Sequence, residues 1–243
     1  MKTFKQFLNE MAGFLPTNVI FKDLGVEWDD VKKIGEGDNG IAYLYKNNIL
    51  KITSDSNEAE FFAHIIGKKL KHVANCYDVI EFDLGEEYED NKTYGGYTSK
   101  ARYYWAIFKE YLPYHFDDYR WFDVVRFYYH YEDRPDFKYT ESDFNKMIEE
   151  YRLESIEAFK DDDEYFDPYG DKESRYEDEL RCETELLELI RDTILELNTV
   201  GIISVSDMKS SNMGIRKDGT IAFIELHIAK DNGLVFPKLK TFK

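Results

Sequence analysis

Gly201-Ile-Ile-Ser-Val-Ser-Asp207-Met-Lys209-Ser-Ser-Asn212-Met-Gly-Ile-Arg-Lys-Asp-Gly219-Thr-Ile-Ala-Phe-Ile-Glu225-Leu-His227 is the stretch on which the reading of the chain turns. Two apolar, β-favouring runs, 213–216 and 220–226, flank Lys217-Asp218-Gly219, which are the residue types a tight turn needs. A hairpin closed there brings Glu225 back beside Asn212. Ahead of it, residues 207–212 gather a carboxylate, an amine and an amide into one short loop. Without chemistry, the same residues make a strand, a polar loop and a hairpin.

The spacing resembles the catalytic loop of protein-kinase-like phosphotransferases. There an Asp is followed two residues later by a Lys and five later by an Asn, and a hairpin then delivers a metal-binding acid. Asp207, Lys209 and Asn212 match. The resemblance implies catalytic roles for Asp207, orienting an acceptor hydroxyl, and Lys209, lying on the transferring phosphoryl group, with Asn212 and Glu225 holding Mg²⁺. Such a site asks for charge and position more than for covalent help.

Upstream, Lys33-Ile34-Gly35-Glu36-Gly37-Asp38-Asn39-Gly40 runs into a strand-like segment, 41–45, rather than into a helix. That order resembles a kinase glycine-rich hairpin more than a dinucleotide-binding turn. The resemblance gives Gly35, Gly37 and Gly40 to the phosphates of ATP, because glycine lets backbone amides come close to phosphate oxygens. Eleven residues past Gly40, Asn48-Ile49-Leu50-Lys51-Ile52-Thr53 resembles the third kinase strand with its nucleotide lysine, Lys51. A lysine exposed on a strand is the alternative.

Ser54-Asp55-Ser56 offers N-caps for a helix over 58–70, in which Glu58 shares a face with Phe61, Phe62 and Ile65. Glu58 is therefore the expected partner of Lys51, although it comes earlier after the lysine than in most kinases. A helix-start glutamate favoured by the dipole is the competing reading. Segments 73–82 and 102–112 read as paired strands separated by a polar loop around Tyr94-Gly95-Gly96-Tyr97. The second resembles the kinase hinge, whose backbone at Glu110 and Leu112 would meet the adenine.

Length, 243 residues, with 43% hydrophobic and 16% aromatic residues, supports a real core in one large domain or two small ones. Cys76 and Cys182 lie apart without metal-ligand spacing, which suits a reducing compartment. Apolar runs are too short for a bilayer, and no signal peptide is legible, so a soluble, intracellular protein without a membrane partner is expected. The net charge is −17, and between residues 115 and 198 there are 27 Asp and Glu against 11 Lys and Arg. That acidity argues against direct nucleic-acid binding, which needs basic residues at the phosphates. Asp161-Asp162-Asp163-Glu164 reads as a solvated loop, since no EF-hand spacing follows it.

Helices are expected around Trp121, Phe122, Val125 and Tyr129, over 144–159, and over 175–198 with Leu186, Leu189, Ile190, Ile194 and Leu197 inward. Residues 1–10 place Phe4, Phe7 and Leu8 on one helical face. They also resemble the capsid-targeting leader of internal head proteins of T-even-like tailed phages, with Leu8-Asn9-Glu10 at the cleavage position. That likeness implies a phage protein in the host cytoplasm, with packaging in the phage head as a further possibility. An ordinary amphipathic helix reads equally well.

The expected fold is α+β: a bilobal, protein-kinase-like chain with a leader at 1–15, a five-stranded antiparallel N-lobe at 16–113 and a truncated, mainly helical C-lobe at 114–243. Expected partners are ATP and a protein substrate or host protein target. Departures from the kinase pattern are plain. Val205 and Ser206 stand where His and Arg usually precede the Asp, Glu225 replaces the Asp of the metal motif, His227 replaces its Gly, and only 16 residues follow. The alternative function is a pseudokinase whose acidic segment binds a host protein by imitating nucleic-acid charge.

Overall fold

A computed structural model describes residues 17–37, 39–94, 97–161, 172–231 and 233–242. The leader at 1–10, Asp38, the Gly95-Gly96 pair and Asp162-Asp163-Glu164 lie outside them. The architecture is mixed α+β, with sheet concentrated in the N-terminal part and helix in the C-terminal part. Two compact units divide the chain. The first takes the described parts of Met1–Lys69, Ala74–Leu112 and Val235–Lys243, and the second takes Leu70–Val73 and Pro113–Leu234.

In the first unit, helix α1 (Thr17–Leu24) is followed by strands β1 (Val31–Glu36), β2 (Gly40–Tyr45) and β3 (Asn48–Thr53). Helix α2 (Ser56–His64) comes next, then β4 (Cys76–Tyr94) and β5 (Tyr97–Glu110). The sheet order is β1-β2-β3-β5-β4-β11, where β11 is Lys240–Phe242. Five antiparallel strands are thus joined by a sixth, which runs parallel to β4 and stacks Phe242 on Phe82 at 5.2 Å between ring centroids. A pairing between segments some 160 residues apart carries no local signal, and the expected five-stranded antiparallel sheet is corrected by it.

β3 is central and buried from Ile49 to Thr53, as a near-continuous apolar run should be. Its alternation divides the sheet into two faces. Leu50 and Ile52 join Ile41, Tyr43, Ile80, Phe82, Tyr104 and Ala106 under Ile20 and Phe21 of α1. Truncating either of the β3 pair to alanine removes about 2–5 kcal/mol. On the other face lie Lys51 and, two residues diagonal to it through the Lys51–Ile107 pair, Lys109. The expected helix over 58–70 is shorter: Asp55 caps α2 through the amides of Asn57 and Glu58, and the chain turns after His64. The paired strands are instead longer than 73–82 and 102–112: a two-point ion pair of Asp83 with Arg102, 2.5 and 2.7 Å, lies where the apolar part ends, and the ladder continues to Tyr94 opposite Tyr97.

The second unit holds three α-helices among the described residues, α3 (Trp121–Glu132), α4 (Glu141–Asp161) and α5 (Lys172–Asn198). Five short strands go with them: β6 (Tyr114–His115), β7 (Ile202–Ser206), β8 (Met213–Ile215), β9 (Ile221–Phe223) and β10 (His227–Asp231). Leu186, Leu189, Ile190, Ile194 and Leu197 of α5 are buried, and Trp121 and Val125 of α3 join them in the core. Phe122 does not; it is 72% exposed. Glu177, Asp178, Glu179 and Glu185 of α5 are exposed carboxylates. No helix among the described residues is long and apolar enough to cross a membrane.

Candidate functional site

In the first unit, Glu58 is fully buried and faces two lysines, Lys51 at 2.7 Å and Lys109 at 3.1 Å. Burial alone would push this carboxyl up, but Lys109 and then Lys51 overcome it and hold Glu58 below its ordinary range. Lys109 also sits 4.3 Å from the centroid of the Phe62 ring. Reading the sequence identified Lys51 and Glu58 but missed Lys109, whose place follows only from the β3–β5 register. The cluster is a buried anion between two cations, so its net charge is positive. Beside it, Cys76 is a packing residue rather than a nucleophile, since burial pushes its thiol up to about 12.

The glycine hairpin sits close to this cluster in the chain's own wiring. Asn39 Nδ2 donates to Asp55 at 2.8 Å, and the Asn39 carbonyl accepts from the Thr53 hydroxyl at 3.0 Å and the Ser54 amide at 2.9 Å. The β1–β2 turn is thereby fastened to the cap of the helix that carries Glu58. Gly40 has a packing reason to be glycine, because a Cβ there would stand 2.5 Å from the carbonyl oxygen of Ile52. Gly37 has none: its amide donates to the Gly40 carbonyl at 2.9 Å, and the space where a Cβ would go is open for 4 Å. Gly35 pairs with Ala42 after a bulge in β1. At the end of β5 the Glu110 amide donates to the Asn75 carbonyl at 2.9 Å, and the Glu110 carboxylate accepts from the Asn75 side chain at 2.8 Å. That amide is therefore committed within the protein. Leu112 is half-buried and ends the Ala74–Leu112 segment of the unit.

In the second unit, β7 leads into Asp207, which adopts a left-handed backbone with φ of 65°. Such a conformation costs about 1–3 kcal/mol for a residue with a side chain, and Asp and Asn bear it best because they bond locally. Asn212 does the holding, donating from Nδ2 to both the carbonyl and the carboxylate of Asp207 at 2.9 Å each. With both amide hydrogens spent, the Asn212 side chain offers its oxygen. Lys209 Nζ stands 2.5 Å from the other carboxylate oxygen of Asp207, with its side chain 69% exposed. Beneath the loop, Trp121 Nε1 donates to the Met208 carbonyl at 2.8 Å in a buried contact.

The hairpin that follows has the turn its sequence requires. β8 and β9 pair Met213 with Phe223, the Arg216 amide reaches the Thr220 carbonyl at 2.9 Å, and Gly219 supplies a φ of 88°. The Ile224 amide then donates to the Asn212 carbonyl at 2.7 Å, which delivers Glu225 next to the loop. Glu225, Asp207 and His227 each place a ligand atom within 4.8 Å of the others. Two carboxylates and the Asn212 oxygen are hard donors of the sort Mg²⁺ accepts, whereas the imidazole is foreign to such a set. His227 as a donor was not foreseen, because in the sequence it stands only as a replacement for glycine. Asp207, Lys209, Asn212 and Glu225 are thus brought together in one unit, as are the three glycines with Lys51 and Glu58 in the other.

Compared with known proteins, the chain matches no protein-family model and no curated protein.

Proposed function

We propose that the chain is an ATP-dependent phosphotransferase of the protein-kinase type, a small atypical protein kinase of phage origin acting on a host or phage protein, with the bilobal kinase-like fold that this entails. The observation that carries it is the buried Lys51–Glu58 pair wired through Asp55 and Asn39 to the glycine hairpin. A lysine held by a buried carboxylate beside a glycine hairpin is placed to meet a phosphate. In the other unit Asp207 would orient an acceptor hydroxyl and take its proton. Lys209, whose exposed side chain reaches the Asp207 carboxylate, would neutralise charge on the transferring group. Asn212 and Glu225 would hold Mg²⁺, which when bound supplies charge neutralisation for the phosphates.

Mg-ATP should raise the melting temperature of the protein, by mass action on the folded state, by about 2.7 kcal/mol of stability at a hundredfold excess over Kd. Lys51→Ala should remove the rise. Asp207→Asn should keep it and lose most turnover. Unchanged melting of the unmodified protein at millimolar Mg-ATP sinks the proposal. A second reading, a pseudokinase that binds a host protein through its acidic helices, draws on the exposed carboxylates of α5. It gains if neutralising Glu177, Asp178 and Glu179 removes a biological effect that Asp207→Asn leaves intact.

A further inference from the structure

We propose that Asp207, Glu225 and His227 form a binding site for a divalent first-row transition cation, which prefers Mn²⁺ or Zn²⁺ to Mg²⁺. One ligand atom from each residue already lies within 4.8 Å of the others, and all three side chains are half-buried. A cation about 2.0–2.2 Å from each donor needs spacings near 3 Å, so small side-chain rotations close the site. The fold provides the convergence from both directions. His227 pairs with Ser206, the residue before Asp207, in the β7–β10 ladder. Leu226, fully buried between Glu225 and His227, anchors the short connection from β9 to β10 that carries both donors.

The donors identify the class of ion. Two carboxylates gathered this closely repel each other, and Lys209, the cation now on Asp207, has an exposed side chain that can swing away. Carboxylates alone would suit Mg²⁺ or Ca²⁺. A neutral imidazole in the same set shifts preference along the first-row series, where nitrogen donors bind more tightly than they do Mg²⁺. The inference concerns the resting protein without nucleotide and stands apart from phosphoryl transfer. It also sets a competition, because a carboxylate engaged by a cation is not free to orient an acceptor.

Isothermal titration of the full chain with MnCl₂, ZnCl₂ or MgCl₂ alone, with no nucleotide present, tests it. One Mn²⁺ should bind per chain at least about tenfold more tightly than Mg²⁺. His227→Gln should lower Mn²⁺ affinity by about tenfold or more while changing Mg²⁺ little, and Glu225→Gln should weaken both. Far-UV circular dichroism confirms that the variants fold. In the unmodified protein, Mn²⁺ should broaden the imidazole resonances of His227 before those of other histidines, so the test survives a variant that does not fold. Mn²⁺ binding no tighter than Mg²⁺, an unchanged affinity in folded His227→Gln, or broadening centred on another histidine overturns the proposal. Loss of ATP binding would not affect it, and loss of Mn²⁺ binding would leave the Lys51 result standing.

Discussion

Glu58 is the residue at which charge bookkeeping can be checked most directly, because one buried anion serves two buried cations. Removing one partner of a buried pair leaves an uncompensated charge and costs about 3–5 kcal/mol. Glu58→Gln leaves two, so it should lie at or above the top of that range. Lys109→Met leaves the balanced Lys51–Glu58 pair and should cost far less. Urea unfolding of the two variants checks the order, and equal losses would show that the lysines do not share the carboxylate. The pH dependence has a definite sign. The folded state holds Glu58 below its unfolded value of 4.5, so its stabilisation is complete above that value and is lost as pH falls through the lower folded one. Glu58→Gln should therefore show a flatter acid limb than the unmodified protein. Lys51 and Glu58 were legible because a charged residue inside an apolar strand and a glutamate on an apolar helix face both ask for a partner. Lys109 was not, because Ala106-Ile107-Phe108-Lys109-Glu110 ends in charge, as an exposed strand terminus also does.

Among the elements, the two hairpins show how far local chemistry carries. The β8–β9 turn was legible in full, since Asp218 and Gly219 satisfy it from within: the Asp218 carboxylate accepts from the Thr220 amide at 2.9 Å. The glycine hairpin was legible in outline, yet its three glycines differ in ways that only packing reveals. Gly40→Ala forces a methyl to within 2.5 Å of the Ile52 carbonyl, so β2 and β3 must part, at about 1–3 kcal/mol or more. Gly37→Ala meets open space and should leave thermal stability unchanged while weakening Mg-ATP binding. Paired melting curves with and without nucleotide distinguish the two variants, and a Gly37→Ala protein that binds nucleotide normally would remove that glycine from the site. The pairing of β4 with β5 was legible, but its extension past Asp83 and the addition of β11 were beyond reach for a different reason. The ladder beyond Asp83 runs through polar residues without an apolar alternation, and the Phe82–Phe242 stack adds a strand from a partner distant in sequence, so periodicity registers neither.

For the whole molecule, two electrostatic effects oppose each other and their balance sets the response to salt. Exposed pairs on the helices, Arg181 with Asp178 at 2.9 Å and Arg152 with Glu149 at 3.9 Å, are worth about 0.3–0.5 kcal/mol each and weaken as salt rises. Against them stands the repulsion of a chain with net charge −17, most of it between residues 115 and 198. Salt screens that repulsion too, over a Debye length of about 10 Å at 0.1 M. Repulsion should prevail, because acids outnumber bases 27 to 11 in that segment and most carboxylates there have no base left to pair with. The melting temperature should rise as NaCl is increased from about 10 mM to about 200 mM, the range over which the Debye length shrinks from 30 Å to below 8 Å. Scanning calorimetry should assign the larger rise to the helical unit if the two units melt separately. Raising the salt with Na₂SO₄ instead would confuse screening with the general strengthening of apolar burial by sulfate, so the comparison belongs to chloride. A melting temperature that falls with NaCl would mean that the surface pairs outweigh the excess acid, and the acidic helices would then be self-compensated rather than a field available to a basic partner.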